Sequence, residues 1–526
     1  MFRKPSDLKP LPVSTQEFSV IREDGLFYVD KTDLVWQMAN ANENVVFFSR
    51  PRRFGKTLLV STFEAYFNAK KELFEGLKIM ELEKEWKKYE VLRFDLSGCL
   101  MVEEFKSKLE MILRGYERQY KIDYIESTPG DRLSVLIKTI SQGQRNVVLL
   151  VDEYDYALQH TLFNEDKHEP LKDAYRNFFA VFKSQSRYIR FIFLTGITKF
   201  TGLSLFSVLN NIKVNGFWPE YQAICGITEE EVRTTLKPYV LRLAEKMSLT
   251  EEETYQAIKD HYDGYHFCEE GMDIYNPYSL INALNDMRIK NYWASSGGTK
   301  MLMDAVDKIG WDGKEFEKTP VQKDLIEDSD VNNHDLPLFL YQSGYLTIKG
   351  SDPRNYILGI PNTEVRTAMF GQILPRLVKK PQQQVDSNIN GIWKSLYEGE
   401  IDKSFDYLKA LVADTPYSQD NSVNAMEEKF RFIVKNAMHL AGCFVDEEKQ
   451  TATGRIDLVC RYDTCILVIE LKMTDNGGLE AAEQQIKDRG YLAPYMAYGR
   501  PIYSVALEFD AQKRGMTRYK VTKISL

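Results

Sequence analysis

The chain carries an apolar run followed by a glycine–lysine–threonine turn: Val45-Val46-Phe47-Phe48-Ser49-Arg50-Pro51-Arg52-Arg53-Phe54-Gly55-Lys56-Thr57. The apolar run predicts a buried strand, and the residues from Lys56 onward predict a helix. A phosphate-binding loop (P-loop) requires the pattern G-x-x-x-x-G-K-[ST] between a strand and a helix. The second glycine, the lysine and the threonine of that pattern are present, and Arg50 occupies the position of the first glycine. The stretch therefore predicts a nucleotide-phosphate site with one departure from the common pattern.

The residue types of this loop suit a nucleoside triphosphate bound with Mg²⁺. Gly55 lets the backbone wrap around a phosphate, Lys56 can reach the β and γ oxygens, and the Thr57 hydroxyl can ligate Mg²⁺. The N-terminus of the following helix adds its dipole. It stays open whether the two loop arginines contact phosphate or form a solvated basic turn. The candidate nucleotide-binding residues of the loop are Arg53, Phe54, Gly55, Lys56 and Thr57.

Three more apolar strands are predicted in the first half of the chain, at residues 91–96, 147–151 and 190–194. Because they are mostly apolar without a strict alternation, and are separated by helical patterns, they predict an α/β domain with a parallel sheet covered on both faces. After the strand at 147–151, Asp152 would hold Mg²⁺ through water, and Glu153 would orient or deprotonate the attacking water. After the last strand, Thr195 or Thr198 offers a hydroxyl that could contact the γ-phosphate, and Thr195 is the first candidate.

Length and composition exclude several classes of protein. The chain has 526 residues, of which 44% are hydrophobic and 27% charged, and this suggests about three or four domains. Its apolar runs are far shorter than the ~20 residues that span a bilayer, and its first residues do not predict a secretory signal. The six cysteines show neither disulfide nor zinc-ligand spacing. A secreted disulfide scaffold, a zinc-ribbon protein and an integral membrane protein are therefore excluded, and a cytoplasmic location is expected.

The pattern along the chain divides it into a P-loop domain, a helical region with the outline of a winged helix, and a helical lead-in to an α+β domain. These three parts are predicted over residues 1–225, 226–378 and 391–526. In the middle region, Thr228 and Thr250 precede acidic triplets and predict helix N-caps. Residues 336–361 predict a helix leading into a small hairpin. The polar, proline-containing stretch 379–384 predicts a linker.

A second set of charged residues lies near the C-terminus. Asp457 is inside an otherwise apolar strand, and Glu470 and Lys472 are on the next strand. The period of two along a strand places Glu470 and Lys472 on the same face, and a turn near Asp463 would bring Asp457 to Glu470. Two carboxylates and a lysine in one shallow pocket predict a catalytic Mg²⁺ site. The metal would generate hydroxide and polarise a scissile phosphate, while Lys472 stabilises the developing charge.

Several longer strings of the sequence resemble a family of bacterial AAA-ATPase-like proteins. They are Tyr28–Thr32, Arg50–Thr57, Asp152–Asp155, Ser204–Ser207 with Asn210 and Asn211, Tyr262–Phe267 and Tyr275–Ser279. The resemblance covers nearly the whole chain and includes the arginine in place of the first P-loop glycine. It implies that the ATPase-like module is joined to a C-terminal PD-(D/E)XK nuclease-like domain. By their own chemistry, residues 263–265 and 276–278 are turn formers, which favours structural roles over nucleotide or partner contact.

The nuclease-like superfamily has the pattern D…E-x-K, which Asp457, Glu470 and Lys472 match without the proline of its name. The resemblance implies an α+β fold like that of restriction endonucleases. It further implies that Glu427, on the preceding helix, is an extra metal-binding acid. Gln485 and Tyr491, on the following helix, resemble positions that support the metal ligands. The candidate metal ligands of the whole chain are Thr57, Asp152, Glu427, Asp457 and Glu470.

These observations predict a protein that binds and hydrolyses ATP, coupled to a Mg²⁺-dependent nuclease that acts on DNA more than on RNA, with Mn²⁺ as an alternative metal. The rival hypothesis is a non-catalytic ATP-driven switch whose last domain only binds nucleic acid or protein. The charge from Glu427 onward favours this rival, since 15 Lys and Arg stand against 14 Asp and Glu in a chain of net charge −8. An ATPase that remodels proteins is a third interpretation, and a homo-oligomer is compatible with each.

Overall fold

The structure is a computed structural model of the chain. It describes residues 8–42, 44–124, 126–162, 164–198, 213–214, 218–293, 298–309, 316, 318–328, 336–416, 422–451, 454–488 and 500–524. The chain divides into two units, Met1–Ile309 with Phe316–Val365, and Gly310–Glu315 with Arg366–Leu526. The predicted boundary between residues 225 and 226 falls inside the first unit, and the division into three domains stays a prediction.

The first unit contains the parallel sheet that the sequence predicts. Its strands are β1 Val45–Ser49, β2 Glu90–Asp95, β3 Val147–Asp152, β4 Ile189–Gly196 and β5 Lys213–Val214. They lie in the order β2-β3-β4-β1-β5, and every neighbouring pair is parallel. Because the carboxyl ends of parallel strands lie at one edge of the sheet, the residues that follow β1, β3 and β4 are brought together there. The helices of this part are Phe18–Glu23, Thr32–Asn40, Lys56–Phe67, Ile79–Leu82, Val102–Tyr120, Pro129–Ser141, Tyr156–Thr161 and Glu165–Ser184.

The predicted helix N-caps after the sheet are confirmed. Thr228 and Thr250 each accept a hydrogen bond from the backbone N–H of the glutamate three residues on, at 3.2 Å, and that glutamate accepts one from the threonine N–H. These two capping boxes satisfy N–H groups that would otherwise lack partners at the helix ends. The helices here are Glu229–Arg233, Lys237–Met247, Glu251–Tyr262 and Pro277–Asp286, and β6 Ile227–Thr228 pairs with β7 Ile274–Tyr275.

The predicted helix and hairpin of the winged-helix outline are confirmed. The helix Leu336–Ser343 leads into β9 Thr347–Ser351 and β10 Asn355–Gly359, which pair in antiparallel fashion. A further strand, β8 Thr319–Gln322, pairs with β10. It was not predicted, because four residues that include Pro320 form a weak strand pattern. The remaining helices of this region are Gly298–Ile309 and Lys323–Asp328.

The second unit is built on a five-stranded sheet, whose strands are β11 Phe444–Thr451, β12 Gly454–Arg461, β13 Ile466–Met473, β14 Ile502–Asp510 and β15 Gly515–Ile524. They lie in the order β11-β12-β13-β14-β15, in which β13 and β14 are parallel and the other pairs antiparallel. One face of the sheet contributes to the larger hydrophobic core of this unit. On the other face, Val459 and Val468 pack with Ile486 of the last helix. The helices are Thr363–Leu377, which crosses the division between the units, Gln382–Glu398, Ile401–Val412, Val423–Leu440 and Gly478–Asp488.

The predicted linker at residues 379–384 is wrong. Only residues 378–381 separate the helix Thr363–Leu377 from the helix Gln382–Glu398, and Pro381 is the N-cap of the second helix. The glutamines therefore form the first helical turn, and the proline marks a helix start instead of a domain boundary. None of the helices within the described ranges is both long and apolar enough to cross a membrane.

Candidate functional site

The P-loop joins β1 to the helix Lys56–Phe67, as the sequence predicts. Arg53 and Gly55 have left-handed backbone conformations, with φ of 69° and 88°, and Gly55 is the N-cap of the helix. Left-handed residues that alternate with right-handed ones turn successive N–H groups toward one concavity, which is the backbone arrangement that binds phosphate. The positive end of the helix lies at the same place. The loop therefore has the backbone geometry of an anion site.

Lys56 is buried and held by its own loop. Its Nζ donates hydrogen bonds to the backbone oxygens of Arg50 and Pro51, at 2.8 and 2.9 Å. Burial lowers the pKa of Lys56, and the carboxylates of Glu153, Asp155 and Asp152 act in the opposite direction. An ammonium group that is partly desolvated interacts more strongly with an anion than a solvated one does.

Asp152 and Glu153 lie at the carboxyl end of β3, next to the P-loop. Burial raises the pKa of both carboxyls, while a hydrogen bond from the Thr57 hydroxyl and the charge of Lys56 lower that of Asp152. Glu153 adopts φ of 49°, a left-handed conformation that costs about 1–2 kcal/mol for a residue with a side chain. Strain of this kind concentrates at functional sites. The structure thus joins Thr57, Lys56, Asp152 and Glu153 in one electrostatic cluster.

Two residues that received no role from the sequence, Tyr154 and Asp155, fix the end of β4. Asp155 accepts hydrogen bonds from the N–H groups of Ile197 and Thr198, at 2.9 and 2.6 Å, and the Tyr154 hydroxyl donates to the Thr198 carbonyl at 2.7 Å. A Cβ at position 196 would lie 2.5 Å from Asp155 Oδ1, so Gly196 is required there. The sequence feature that could have indicated these roles is the acidic string 152–155, followed by a glycine at the end of the next strand.

The hydroxyl of Thr195 is fully buried and has no hydrogen-bond partner among the residues that the structure describes. A buried polar atom of this kind fits a hydrogen bond to a bound polar ligand. By contrast, the backbone of Thr198 is held by Asp155 and Tyr154. Of the two threonines that the sequence leaves open, Thr195 fits a polar ligand better.

A cavity of about 630 Å³ opens over the P-loop, within the size range of ligand sites. It is lined by the loop, by Glu153 and by one face of the helix Pro277–Asp286. Both loop arginines line it: Arg52 donates to Gln159 Oε1 at 3.5 Å, and the Arg53 guanidinium lies 4.5 Å over the Tyr278 ring. The string 276–278 therefore contributes Tyr278 to the cavity in addition to its turn, whose Asn276 caps the helix. The buried lysine, the loop geometry and the carboxylates together fit a nucleoside triphosphate with Mg²⁺.

In the second unit, Asp457 and Glu470 meet as the sequence predicts. The ladder between β12 and β13 ends at the pair Leu458 and Ile469, and side chains take over the hydrogen bonds beyond it. The Asp457 N–H donates to Glu470 Oε2 at 3.4 Å, and the Leu471 N–H donates to Asp457 Oδ2 at 2.9 Å. The two carboxylates are thereby fixed at the point where the strands separate.

Glu470 is the most buried group of this site, with 0% of its surface exposed. Burial and the neighbouring Asp457 raise its pKa to about 7, and Lys472 opposes the change. The Lys472 Nζ lies 3.3 Å from Glu470 Oε1 and 3.8 Å from Glu427 Oε1. The pKa of Lys472 is raised because these carboxylates and Asp457 outweigh its burial. The lysine is therefore protonated and bridges two acids.

Within the described ranges, no three Asp, Glu, His or Cys side chains are placed to hold a metal ion together. Glu427 contacts Lys472, and its Oε2 accepts hydrogen bonds from the Met473 N–H at 3.4 Å and from Asn476 at 3.1 Å. Asp457 and Glu470 remain as a pair of neighbouring acids, joined by the hydrogen bond from the Asp457 N–H to Glu470. Mg²⁺ is commonly held by one or two carboxylates with water and substrate oxygens, so this pair fits the metal, and Glu427 is better placed to hold Lys472.

Two further side chains support the carboxylates. Gln485, on the last helix, donates to Glu470 Oε1, in agreement with its predicted supporting position. Arg431 was missed from the sequence; its Nη1 lies 3.3 Å from Asp457 Oδ1. Arg431 lies four residues after Glu427, one turn along the same helix, and this spacing could have indicated that both side chains face the same site. Tyr491 lies outside the described residues.

A structural ion-pair network stands beside Lys472, because Glu508 of β14 is its partner in the sheet register. Arg518 holds the pKa of Glu508 down at about 2, helped by Thr517 and the Leu479 N–H. Since the folded-state pKa lies below the unfolded value of about 4.5, this stabilisation is complete above pH 4.5 and is lost as the pH falls toward 2. We expect Glu508→Gln to lower the free energy of unfolding at pH 7 by about 2 kcal/mol.

The test is urea denaturation of both proteins between pH 3 and pH 7. The difference between wild type and Glu508→Gln should shrink as the pH falls below about 4.5. A difference that is absent at pH 7, or that does not change with pH, would contradict this role.

Comparisons with known proteins match the two parts of the chain that contain these residues. Residues 12–206 match a family model described as "Predicted AAA-ATPase", and residues 425–519 match the PD-(D/E)XK nuclease superfamily. A protein of Azotobacter chroococcum mcd 1, described as an uncharacterized protein in vnfD 5'region, is 28% identical over 527 residues, which are 98% of this chain and 99% of that protein. The predicted pairing of an AAA-ATPase-like domain with a PD-(D/E)XK nuclease domain is confirmed by the two family matches.

Proposed function

We propose that this chain, which joins an AAA-ATPase-like domain to a PD-(D/E)XK nuclease domain, binds and hydrolyses ATP and cleaves phosphodiester bonds of nucleic acid in a metal-dependent reaction. DNA is the preferred substrate over RNA, the location is the cytoplasm, and the nucleotide controls cleavage. The observation that carries the proposal is that each of two sites on one chain combines buried carboxylates with a partly or fully buried lysine. Buried acids next to a cation suit the handling of phosphate with a divalent metal.

In the first unit, the chain's own groups divide the work on ATP. Arg53, Gly55 and Lys56 would hold the phosphates, and Thr57 with Asp152 would hold the metal. When bound, the metal–ATP complex supplies the phosphoanhydride bond and a cation that neutralises charge on it. Glu153 would take the proton of the attacking water, since its raised pKa makes it a better base than an exposed carboxylate. The buried Thr195 hydroxyl would donate to a phosphate oxygen.

A smaller cavity of about 110 Å³ suits the base of the nucleotide. It shares Gly55, Leu58 and Ile281 with the larger cavity, and its lining is mostly apolar. Ile224, Cys225 and Ile227 provide part of that lining. A flat apolar ring buried beside the P-loop would gain from removal of its surface from water.

In the second unit, Asp457 and Glu470 would hold the divalent ion, Mg²⁺ or Mn²⁺. When bound, the ion lowers the pKa of a water and polarises the phosphate. Lys472 would stabilise negative charge that develops on the phosphate oxygens, and Glu427 keeps its ammonium group in place. Gln485 orients Glu470, which is how supporting hydrogen bonds tune metal ligands in proteins.

The proposal is tested by a cleavage assay on single- and double-stranded DNA and RNA, with Mg²⁺, Mn²⁺ or EDTA, each with and without ATP. We expect cleavage with either metal, none in EDTA, and a rate that depends on ATP. Cleavage that persists after the metal is removed would contradict the metal site. A rate that ATP leaves unchanged would contradict control by the nucleotide.

The Arg431 ion pair with Asp457 favours a second candidate, a non-catalytic ATP-driven switch. Arg431 Nη1 lies 3.3 Å from Asp457, so a cation of the chain already compensates this carboxylate. The same assay, with ATP binding, ATP hydrolysis and DNA binding measured in parallel, separates the two candidates. Absence of cleavage together with ATP binding and salt-sensitive DNA binding would support the switch, because phosphate contacts weaken steeply with salt. ATP hydrolysis without any DNA binding would instead support a protein-remodelling ATPase.

A further inference from the structure

Arg50 stands at the position of the first P-loop glycine, and it is buried, with 2% of its surface exposed. Its guanidinium lies between two aromatic rings, 4.5 Å from the centre of the Phe48 ring and 4.0 Å from that of Phe267. Phe48 belongs to β1, whereas Phe267 belongs to the segment 262–268 of the middle region. A desolvated guanidinium stacked on aromatic faces is strongly attracted to them.

The polar contacts of Arg50 also join β1 to residues that follow the parallel sheet. Its Nη1 donates to the Ser49 carbonyl at 2.9 Å, and its Nη2 donates to the Gln222 carbonyl at 3.4 Å. Burial lowers the pKa of Arg50 to about 10, and the groups that act against burial are thiols and a phenol, those of Cys225, Tyr341 and Cys268. The guanidinium thus ties the start of the loop to residues that follow the parallel sheet.

The rest of the loop is packed by the same region of the first unit. The Phe54 ring meets the Tyr265 and Phe267 rings edge to face, at 4.8 and 5.4 Å between centres. A Cβ at position 344 would lie 2.5 Å from Pro51 Cβ, so the backbone of Gly344 lies directly against the loop. The Tyr265 hydroxyl in turn donates to the Gly344 carbonyl at 3.2 Å.

The loop residues held by these contacts also hold Lys56. The backbone oxygens that accept the Lys56 ammonium belong to Arg50 and Pro51, the two residues that the middle region holds. The direction of Lys56 therefore depends on where Phe267 and Gly344 place those oxygens. Preorganised groups bind an anion more tightly than groups that must be ordered on binding.

We propose that Arg50 is a positioning residue through which the segment 262–268 sets the conformation of the P-loop, so that nucleotide affinity depends on the middle region. The inference rests on the proposed binding of ATP. It reverses the expectation from the common P-loop pattern: replacement of Arg50 by glycine restores that pattern, yet it should weaken binding. The arginine fills the space between two rings, and glycine would leave the loop without this anchor.

The test is titration with a fluorescent N-methylanthraniloyl ATP analogue, with melting temperatures measured in parallel. We expect Arg50→Gly to raise Kd about tenfold or more, and Arg50→Lys, which keeps the charge but not the flat stack, to give a smaller rise. Phe267→Leu keeps the apolar volume and removes the π face, so it should raise Kd with little change in melting temperature. The double variant Arg50→Gly with Phe267→Leu should raise Kd by less than the product of the two single effects, since the two side chains share one contact while Phe267 also packs on Phe54.

Arg114→Ala is the matched control, because its guanidinium also lies over an aromatic ring, that of Tyr124, at 4.8 Å, but far from the loop in sequence and with about half of its side chain exposed. Its Kd should equal that of the wild type. If the wild type binds the analogue and Arg50→Gly binds it equally well or more tightly, the inference is overturned while the proposed function stands. If Arg50→Gly does not fold, an unchanged Kd for Phe267→Leu overturns the inference by itself. A wild type that does not bind the analogue would refute the proposed function and the inference together.

Discussion

Asp457→Asn is expected to lower metal-dependent cleavage by roughly 10²- to 10³-fold, the size of effect that follows loss of one strong electrostatic group at an active site. Asparagine has the shape of aspartate, and its side-chain oxygen can still accept the hydrogen bond that the Leu471 N–H donates at 2.9 Å. The strands should therefore keep their arrangement. What is lost is the negative charge that, with Glu470, would hold the metal ion. The measurement is the initial rate of DNA cleavage at saturating Mg²⁺.

Asp463→Asn provides the matched control for this experiment. Asp463 is an exposed aspartate in the turn that joins β12 to β13, so it undergoes the same chemical change on the same hairpin. Its cleavage rate should equal that of the wild type, and both variants should bind ATP normally. If Asp457→Asn cleaves DNA at the wild-type rate, the site assignment in the second unit is wrong.

The core of this site is predictable from the sequence for a simple reason. Asp457, Glu470 and Lys472 lie on two strands joined by a short turn, and the period of two fixes which side chains share a face. Arg431 and Gln485 reach the carboxylates from helices. The rotation and depth of a helix over a sheet are set by packing of the whole core, which a local pattern does not encode. The D…E-x-K pattern therefore predicts the acids and the lysine but not the arginine that compensates Asp457.

The P-loop shows the same division between local and distant determinants. The strand, the turn and the helix at residues 45–67 follow from local sequence, and so does the acidic end of β3. The burial of Arg50 does not, because its second aromatic partner, Phe267, is far along the chain. From its residue type alone, the arginine between Ser49 and Pro51 is expected to be exposed. Only the fold shows why a bulky cation occupies a position where many P-loops have glycine.

Lys56→Met is expected to weaken ATP binding by roughly 100-fold, because two charge-assisted hydrogen bonds to phosphate contribute about 3 kcal/mol together. Methionine keeps most of the stem of the lysine and removes the ammonium group. Burial lowers the pKa of Lys56, so the charge itself is costly in the folded protein. Its removal offsets part of the cost of leaving the Arg50 and Pro51 oxygens without this donor, so the melting temperature should fall only modestly. Isothermal titration with ATP and Mg²⁺ measures the loss.

Glu153→Gln separates binding from hydrolysis at the same site. Glutamine keeps the size of the side chain but cannot take a proton from water, so ATP should bind normally while hydrolysis falls by roughly 10²-fold or more. If the nucleotide controls cleavage by the second unit, Lys56→Met should show the same DNA cleavage rate with and without ATP, whereas Glu153→Gln should stay in the state that bound ATP produces. Cleavage by Lys56→Met that still responds to ATP would mean that the nucleotide acts somewhere other than this loop. If ATP changes the DNA cleavage rate of neither variant nor of the wild type, the ATPase-like and nuclease domains act independently of each other.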